Sequence, residues 1–407
     1  MQAAPATRRA TWALLALSFF MADFQAGIGP FLGVFLQAHG WGAGLIGTAL
    51  TVGGVAGLLA TAPAGALVDS SGEKRMLIVI AGVFTCAASA LVLVSQSFWM
   101  VAFSQAATAI SAAVLGPAVI GMTLGIVHQR GFNRQNGLNQ AFNHAGNVAG
   151  AALSGYLGWK FGFAAIFALA VGFGILSIIS VLTIPAAAID NAAARGLKGE
   201  DTGAQVSGLA TLLSCRPLLA LAVALLAFHL GNAAMLPLFG LAVVGAGKGD
   251  PASLVAMTII VAQAVMVVAS IVAMRAADSY GYWIILLISF IALPIRGLIA
   301  AHTIDYWGVY PVQILDGVGA GLQSVAVPGL VARLLDGTGR INVGQGAVLT
   351  AQGVGAALSP IVGGWIAQGY GYPACFLTLG AFALVSIVLW IGYHRELRPA
   401  CAAPAPA

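Results

Sequence analysis

"GALVDSSGEKR", residues Gly65 to Arg75, gathers Asp69, Glu73, Lys74 and Arg75 into a short joint between two apolar runs, 44–67 and 76–95. A water-soluble helical pair spreads its charges along the exposed faces. Here they are confined to the joint. Long apolar run, charged turn, long apolar run is the pattern of two helices that cross hydrocarbon and meet at its surface. The rest of the chain repeats it. Hydrophobic residues make up 60% of the 407 and charged residues only 7%, against about 25% charged in soluble domains. The sequence therefore specifies an all-α membrane protein.

Twelve spans are expected, at about 11–36, 44–67, 76–95, 98–127, 134–158, 161–183, 215–241, 252–274, 282–301, 306–333, 340–367 and 373–392. The 53 glycines would harm soluble helices, but in lipid they let helices approach closely. Of the 17 Lys and Arg, a cytoplasmic N-terminus puts Arg8, Arg9, Lys74, Arg75, Arg130, Arg134, Arg195, Lys198, Arg216, Arg275, Arg333, Arg340, Arg395 and Arg398 on the inner side. Only Lys160 and Lys248 fall outside, and Arg296 lies within a span. By the positive-inside rule both termini are then cytoplasmic, in a cell inner membrane. The net charge of +5 is thus a topology signal, with no nucleic-acid partner implied. Span 1 lacks a cleavage site and reads as retained. The Pro/Ala-rich tail "RPACAAPAPA" is expected to be disordered, and Cys86, Cys215, Cys375 and Cys401 have no ligand or disulfide spacing.

The chain is built twice. The polar interval 184–214 separates six spans from six, so the expected halves are 1–183 and 215–407. "GAALS" occurs at Gly150–Ser154 and again at Gly355–Ser359; Pro30 and Gly33 align with Pro237 and Gly240; Asp69 and Gly72 align with Asp278 and Gly281. With these features in place, Gly65–Arg75 resembles the loop signature of the major facilitator superfamily, G-x-L-x-D-x-x-G-x-[RK]-[RK]. Gly65, Leu67, Asp69, Gly72, Lys74 and Arg75 all match it. The resemblance implies two pseudo-symmetric six-helix bundles that give alternating access to a central site. It also implies a conformational latch at Gly65, Asp69, Gly72, Lys74 and Arg75. In the physical reading of this loop the glycines permit a tight turn, and Lys74 and Arg75 lie at the lipid headgroups. Two departures weaken a drug-antiporter assignment. The R-x-x-Q-G motif of helix 4 keeps Gln105 but has Ala102 and Ala106, and helix 5 lacks the proline of G-P-x-x-G-G.

A charge at the bilayer centre costs at least ~2.5 kcal/mol, so ionisable residues there are functional candidates by default. Asp23 stands in "FFMADFQAGIGPF", with Gln25 the other polar residue of its run and Gly27 and Pro30 on its helical face. Asp23 is expected to carry the coupling proton, with His229 and Asp316 sharing it. Substrate contacts are expected from Gln25, Gln105, Asn143, His144, Asn147, Asn232, Gln313 and Arg296. Arg296 is open to two structural readings: pairing with Asp316, or snorkelling outward. The Asn and Gln stripes are equally readable as hydrogen bonds between helices.

No G-x-x-x-x-G-K-[ST], H-E-x-x-H or CxxC pattern is present, and Gly42–Gly47, a formal G-x-G-x-x-G match, lies between two spans with no strand before it. The expectation is therefore a non-enzymatic secondary transporter without cofactor or resident metal, working as a monomer in the lipid bilayer. It would move a small organic solute in exchange for protons, outward. Uptake of a small organic anion on Arg296 and divalent-metal export on Asp23, His144 and His229 stay open as alternatives.

Overall fold

In hydrocarbon every backbone N–H and C=O must be satisfied within its own segment, which leaves helices as the solution for apolar runs of this length. The computed structural model describes residues 5–24, 29–194, 213–335 and 341–401, and every regular element among them is helical. The order is α1 (Pro5–Phe24), α2 (Phe31–Ala38), α3 (Ala43–Ser70), α4 (Lys74–Val94), α5 (Phe98–Phe161), α6 (Phe163–Leu182) and the short α7 (Asn191–Ala194). It continues with α8 (Arg216–Asn232), α9 (Met235–Gly245), α10 (Pro251–Tyr280), α11 (Tyr282–His302), α12 (Val309–Leu334), α13 (Ile341–Tyr370), α14 (Tyr372–Gly392) and α15 (His394–Cys401).

Among the described residues, 10 helical segments are long and apolar enough to cross a membrane. Two of the twelve expected spans are not among them. The first, 11–36, is shared by α1, α2 and residues outside the description. The fifth, 134–158, forms the second half of α5, where Gln135, Asn136, Asn139, Gln140, Asn143, His144 and Asn147 lower the hydropathy. Its boundary with span 4 is the non-helical His128, at φ 52° and ψ −179°.

The chain forms two compact units, residues 1–39 with 52–202 and residues 40–51 with 203–407. In the first, α1, α4, α5 and α6 pack around a core that includes Leu14, Leu17, Ile78, Leu115, Met122 and Phe173. In the second, α8 packs on α13 and α14, α10 on α12, and α11 on α12 and α14.

The internal repeat shows in the close approaches. A Cβ on Gly146 of α5 would collide with the Phe19 carbonyl oxygen of α1, and one on Gly355 of α13 with the Leu226 carbonyl oxygen of α8. Gly162 (φ 78°) and Gly371 (φ 84°) end α5 and α13 in the left-handed region that L side chains avoid. Both pairs are 209 residues apart (355 less 146, 371 less 162). The two "GAALS" copies, 205 residues apart, are therefore one helical turn out of register. Because backbone oxygen faces Gly355, Gly355→Leu has no side chain to push aside. Overpacking of this kind costs about 1–3 kcal/mol, and a matching fall in the detergent-solubilised melting temperature is expected. A melting curve that overlays wild type would show that α8 and α13 do not touch there.

The tail departs from expectation over residues 398–401, which complete α15. Leu397 is fully buried and Cys401 1% exposed, so one face of this helix packs on the second unit, and Arg398 lies over the Trp283 ring at 5.5 Å. The Pro/Ala-rich composition had hidden that i, i+4 apolar pair. Burial pushes the Cys401 thiol up to about 12, which keeps it protonated and unreactive at neutral pH.

Candidate functional site

Four of the intramembrane polar residues meet in the second unit. Arg296 sits past mid-helix in α11 and is 1% exposed. Its Nη1 donates to Asp316 Oδ1 at 2.7 Å and to Asn232 Oδ1 at 2.7 Å, and its Nη2 donates to Gln313 Oε1 at 3.3 Å. Asn232 Nδ2 donates to Asp316 Oδ1 at 3.2 Å and closes the ring. Helices α8, α11 and α12 each contribute. Gln313 is fully buried, whereas the Asp316 side chain keeps 14% of its surface accessible. Of the two structural readings for Arg296, the structure shows the pair with Asp316. Snorkelling is excluded by its burial.

The same helix faces continue to a cavity. On α12, Gln313, Asp316, Ala320 and Gln323 recur at three or four residues and so form one stripe. On α8, His229 lies one turn from Asn232. His229 and Gln323 line a cavity of about 360 Å³ together with Ser324, Gln345 and Gln352. Seven residues of helix rise separate Gln323 from Asp316, about 10 Å. The buried Nε2 of His229 has no hydrogen-bond partner among the described residues. Gln323 is fixed from behind: its Nε2 donates to Ser289 Oγ at 2.8 Å, and that hydroxyl donates to the Gly319 carbonyl at 3.1 Å.

In the first unit the second half of α5 carries a polar ladder. Asn143 Nδ2 donates to the Ser18 carbonyl of α1 at 3.3 Å, and Asn147 Nδ2 donates to Asn143 Oδ1 at 3.3 Å. Deeper in the unit, Gln135 Nε2 donates to Asn139 Oδ1 at 3.0 Å and Asn139 Nδ2 to Thr123 Oγ1 at 2.9 Å. Much of this stripe thus joins helices. His144 is half-buried beside it, and Gln105 is half-buried on the first half of α5, its Cβ and carbonyl packed against Gly53 of α3. Asp23 belongs to α1, but its side chain lies outside the described residues, as does Gln25 altogether. Among the described residues no three His, Cys, Asp or Glu side chains gather into a metal-binding group.

The Gly65–Arg75 joint differs from its expected arrangement. Gly65 is inside α3, with open space where a Cβ would stand, and so makes no turn. Gly72 does lie in the short connection to α4, without a left-handed φ. Lys74 is 1% exposed, its ammonium donating to the Ser71 carbonyl at 2.9 Å and its stem lying where a Cβ on Gly121 would be. Arg75 Nη2 donates at 3.0 Å to the Leu182 carbonyl at the end of α6. Lys74 is therefore not spread on a lipid surface: its long stem fills a groove left by glycine, while both heads satisfy carbonyls near helix ends. The side chain of Asp69 lies outside the described residues.

The Major Facilitator Superfamily profile matches residues 14–342. The chain belongs to the major facilitator superfamily. An MFS-type transporter of Mycobacterium tuberculosis (strain ATCC 25618 / H37Rv) is 37% identical over 386 residues, covering 94% of this chain and 92% of the relative. Its counterpart in strain CDC 1551 / Oshkosh matches to the same extent. Among solved structures, the nucleoside transporter NupG superposes with a TM-score of 0.78 at 12% identity, covering 96% of this chain and 99% of that one. A bacterial homologue of the human lysosomal transporter Spinster, inward-facing and unoccupied, gives 0.74 at 14% identity, covering 99% and 100%. The protein is accordingly a membrane-embedded transporter of the superfamily, and at such low identity the solved structures speak for the fold alone.

Within this facilitator fold, sequence reasoning had missed Ser324, Gln345 and Gln352 at the cavity and the Gln135–Asn139–Thr123 chain. Gln345 and Gln352 are seven residues apart, and that two-turn spacing on α13 was the available signal.

Proposed function

We propose that this protein is a proton-coupled secondary transporter that exports a small organic solute by alternating access. In this reading it has twelve spans in two six-helix bundles, 1–183 and 215–407, joined by the loop 184–214. The protein sits in a cell inner membrane with both termini in the cytoplasm and works as a monomer. The observation that carries the proposal is the Arg296–Asp316 ion pair set one helical turn, about 6 Å along α12, from Ala320 in the lining of a solute-sized cavity. Protonation of Asp316 removes the charge that holds Arg296, so a proton and the shape of the α8–α12 face are linked through one carboxylate. Its partial accessibility gives the proton a route, while full burial of Arg296 ensures that the change is felt inside the helix packing. Asp23 is assigned the second protonation site, in the other bundle, and Lys74 and Arg75 the role of bracing the latch. Arg296 is occupied by three side-chain oxygens, which argues against its serving an organic anion as free cationic partner.

The test is flux of a solute panel into and out of liposomes holding the purified protein, with a pH gradient of either sign. At least one solute is expected to move outward as protons move inward, and a protonophore should reduce its flux to the leak rate. Solute flux that ignores the gradient would refute the coupling.

A further inference from the structure

We infer that the α8–α12–α13 cavity takes an uncharged solute with one edge that both donates and accepts hydrogen bonds and an apolar body behind it. The inference rests on the transport reading for its biological meaning, but its geometry stands by itself. Among the lining residues there is no Lys, Arg, Asp or Glu, and His229 is the single titratable one. Asp316, one turn from Ala320 of the lining, is already paired with Arg296 of α11 at 2.7 Å, and Arg333 further along α12 lies over the Tyr282 ring at 4.5 Å. An anion entering here would face no free cation, and a cation no free carboxylate. Burying an isolated ion in such surroundings costs far more than hydrogen bonds return.

The polar groups are already partly engaged. Gln323 gives an amide N–H to Ser289 Oγ, and Gln345 gives one to the Pro328 carbonyl at 2.8 Å. The Ser324 hydroxyl donates to the Gly321 carbonyl at 2.8 Å. Each amide nitrogen keeps a second N–H, and the Gln323 side chain also hydrogen-bonds His229, so the glutamines present both donors and acceptors. A matching ligand must offer the complementary pair, as a primary amide does. Gln352 makes no hydrogen bond among the described residues, and the unpartnered Nε2 of His229 adds one polar position whose sense follows the tautomer. The remainder of the lining is aliphatic, which suits the face of a ring. A volume of about 360 Å³ lies at the small end of the range for small-molecule sites.

One chemical series separates the possibilities: nicotinamide (neutral, with donors), N,N-diethylnicotinamide (neutral, without amide donors), nicotinate (anion) and 1-methylnicotinamide (cation). Equilibrium dialysis of each against the purified full-length protein in detergent is the measurement. Nicotinamide is expected to bind saturably and at least about tenfold more tightly than the other three, the order of one unmatched polar group or charge. Gln352→Leu should weaken it by a similar factor, and Leu349→Trp, which fills the cavity, should remove it. Equal or tighter binding of either ion overturns the inference. So does absence of saturable nicotinamide binding, or nicotinamide binding that survives Leu349→Trp. A melting curve for each variant separates loss of binding from loss of fold. The transport reading fails by a different result: neutral-selective binding with no pH-driven flux refutes the coupling and leaves the cavity assignment standing.

Discussion

Asp316→Leu is expected to lower the stability of the second unit by about 3–5 kcal/mol, the cost of leaving a buried charge without its partner. Arg296 is 1% exposed and cannot turn to water when the carboxylate is gone. Asn232 and Gln313 still offer oxygens, but neither carries a charge. For a unit of this size the loss corresponds to a melting temperature lower by roughly 10 °C. The informative comparison is the double variant Asp316→Leu/Arg296→Met. Removing both charges together also removes two desolvation costs, and such replacements are commonly neutral or stabilising by about 1–4 kcal/mol. The double variant is therefore expected to melt near or above wild type while the single variant melts far below. Both should lack flux driven by a pH gradient. If the double variant is as unstable as the single, the two side chains are not coupled and the ion pair is not what holds α11 to α12. If it melts normally and still transports against the gradient, the pair is structural and the coupling lies elsewhere.

The fold was legible because lipid imposes a simple rule: apolar runs of sufficient length must be helices, and charges collect at their ends. The joint at Gly65–Arg75 and the central polar interval carried that information directly. Contacts were harder to read. In a soluble helix the polar face marks the outside, but here lipid and protein interior are both apolar, so hydropathy does not say which face of α11 meets α12. Arg296 was legible as an oddity, and its partner only as one of two options. Lys74 was misplaced because a cation in a membrane loop suggests a headgroup, and the groove at Gly121 that receives its stem is 47 residues away in sequence (121 less 74). The repeat was seen, and its loop residues Asp69 and Asp278 were aligned at the offset of 209 that the structure gives (278 less 69), but the "GAALS" copies were matched one turn out. In a chain rich in Ala and Gly a five-letter match slides easily, whereas the backbone approach at Gly146 and Gly355 fixes the register. The cavity glutamines escaped because each was weighed alone.

The strongest functional effect is expected from Asp23→Asn. The sequence sets this carboxylate near the middle of the 11–36 run, where a permanent charge costs at least ~2.5 kcal/mol. We propose that it is tolerated because the charge is not permanent: neutral when closed off from water, ionised when hydrated. Asparagine has nearly the same shape and fixes the neutral condition. The variant should insert and melt at least as well as wild type, since a costly charge is gone. Flux driven by a pH gradient should fall to the leak rate, because no proton is picked up or released at this position. Counterflow, in which labelled solute exchanges with unlabelled solute at equal pH, needs no net proton movement and should persist. The two liposome assays on one variant thus divide the explanations. Retained gradient-driven flux would take Asp23 out of the proton path. Loss of both fluxes with a lowered melting temperature would make it a packing partner of a neighbouring helix, and loss of gradient-driven flux alone is the signature of a residue that carries the proton.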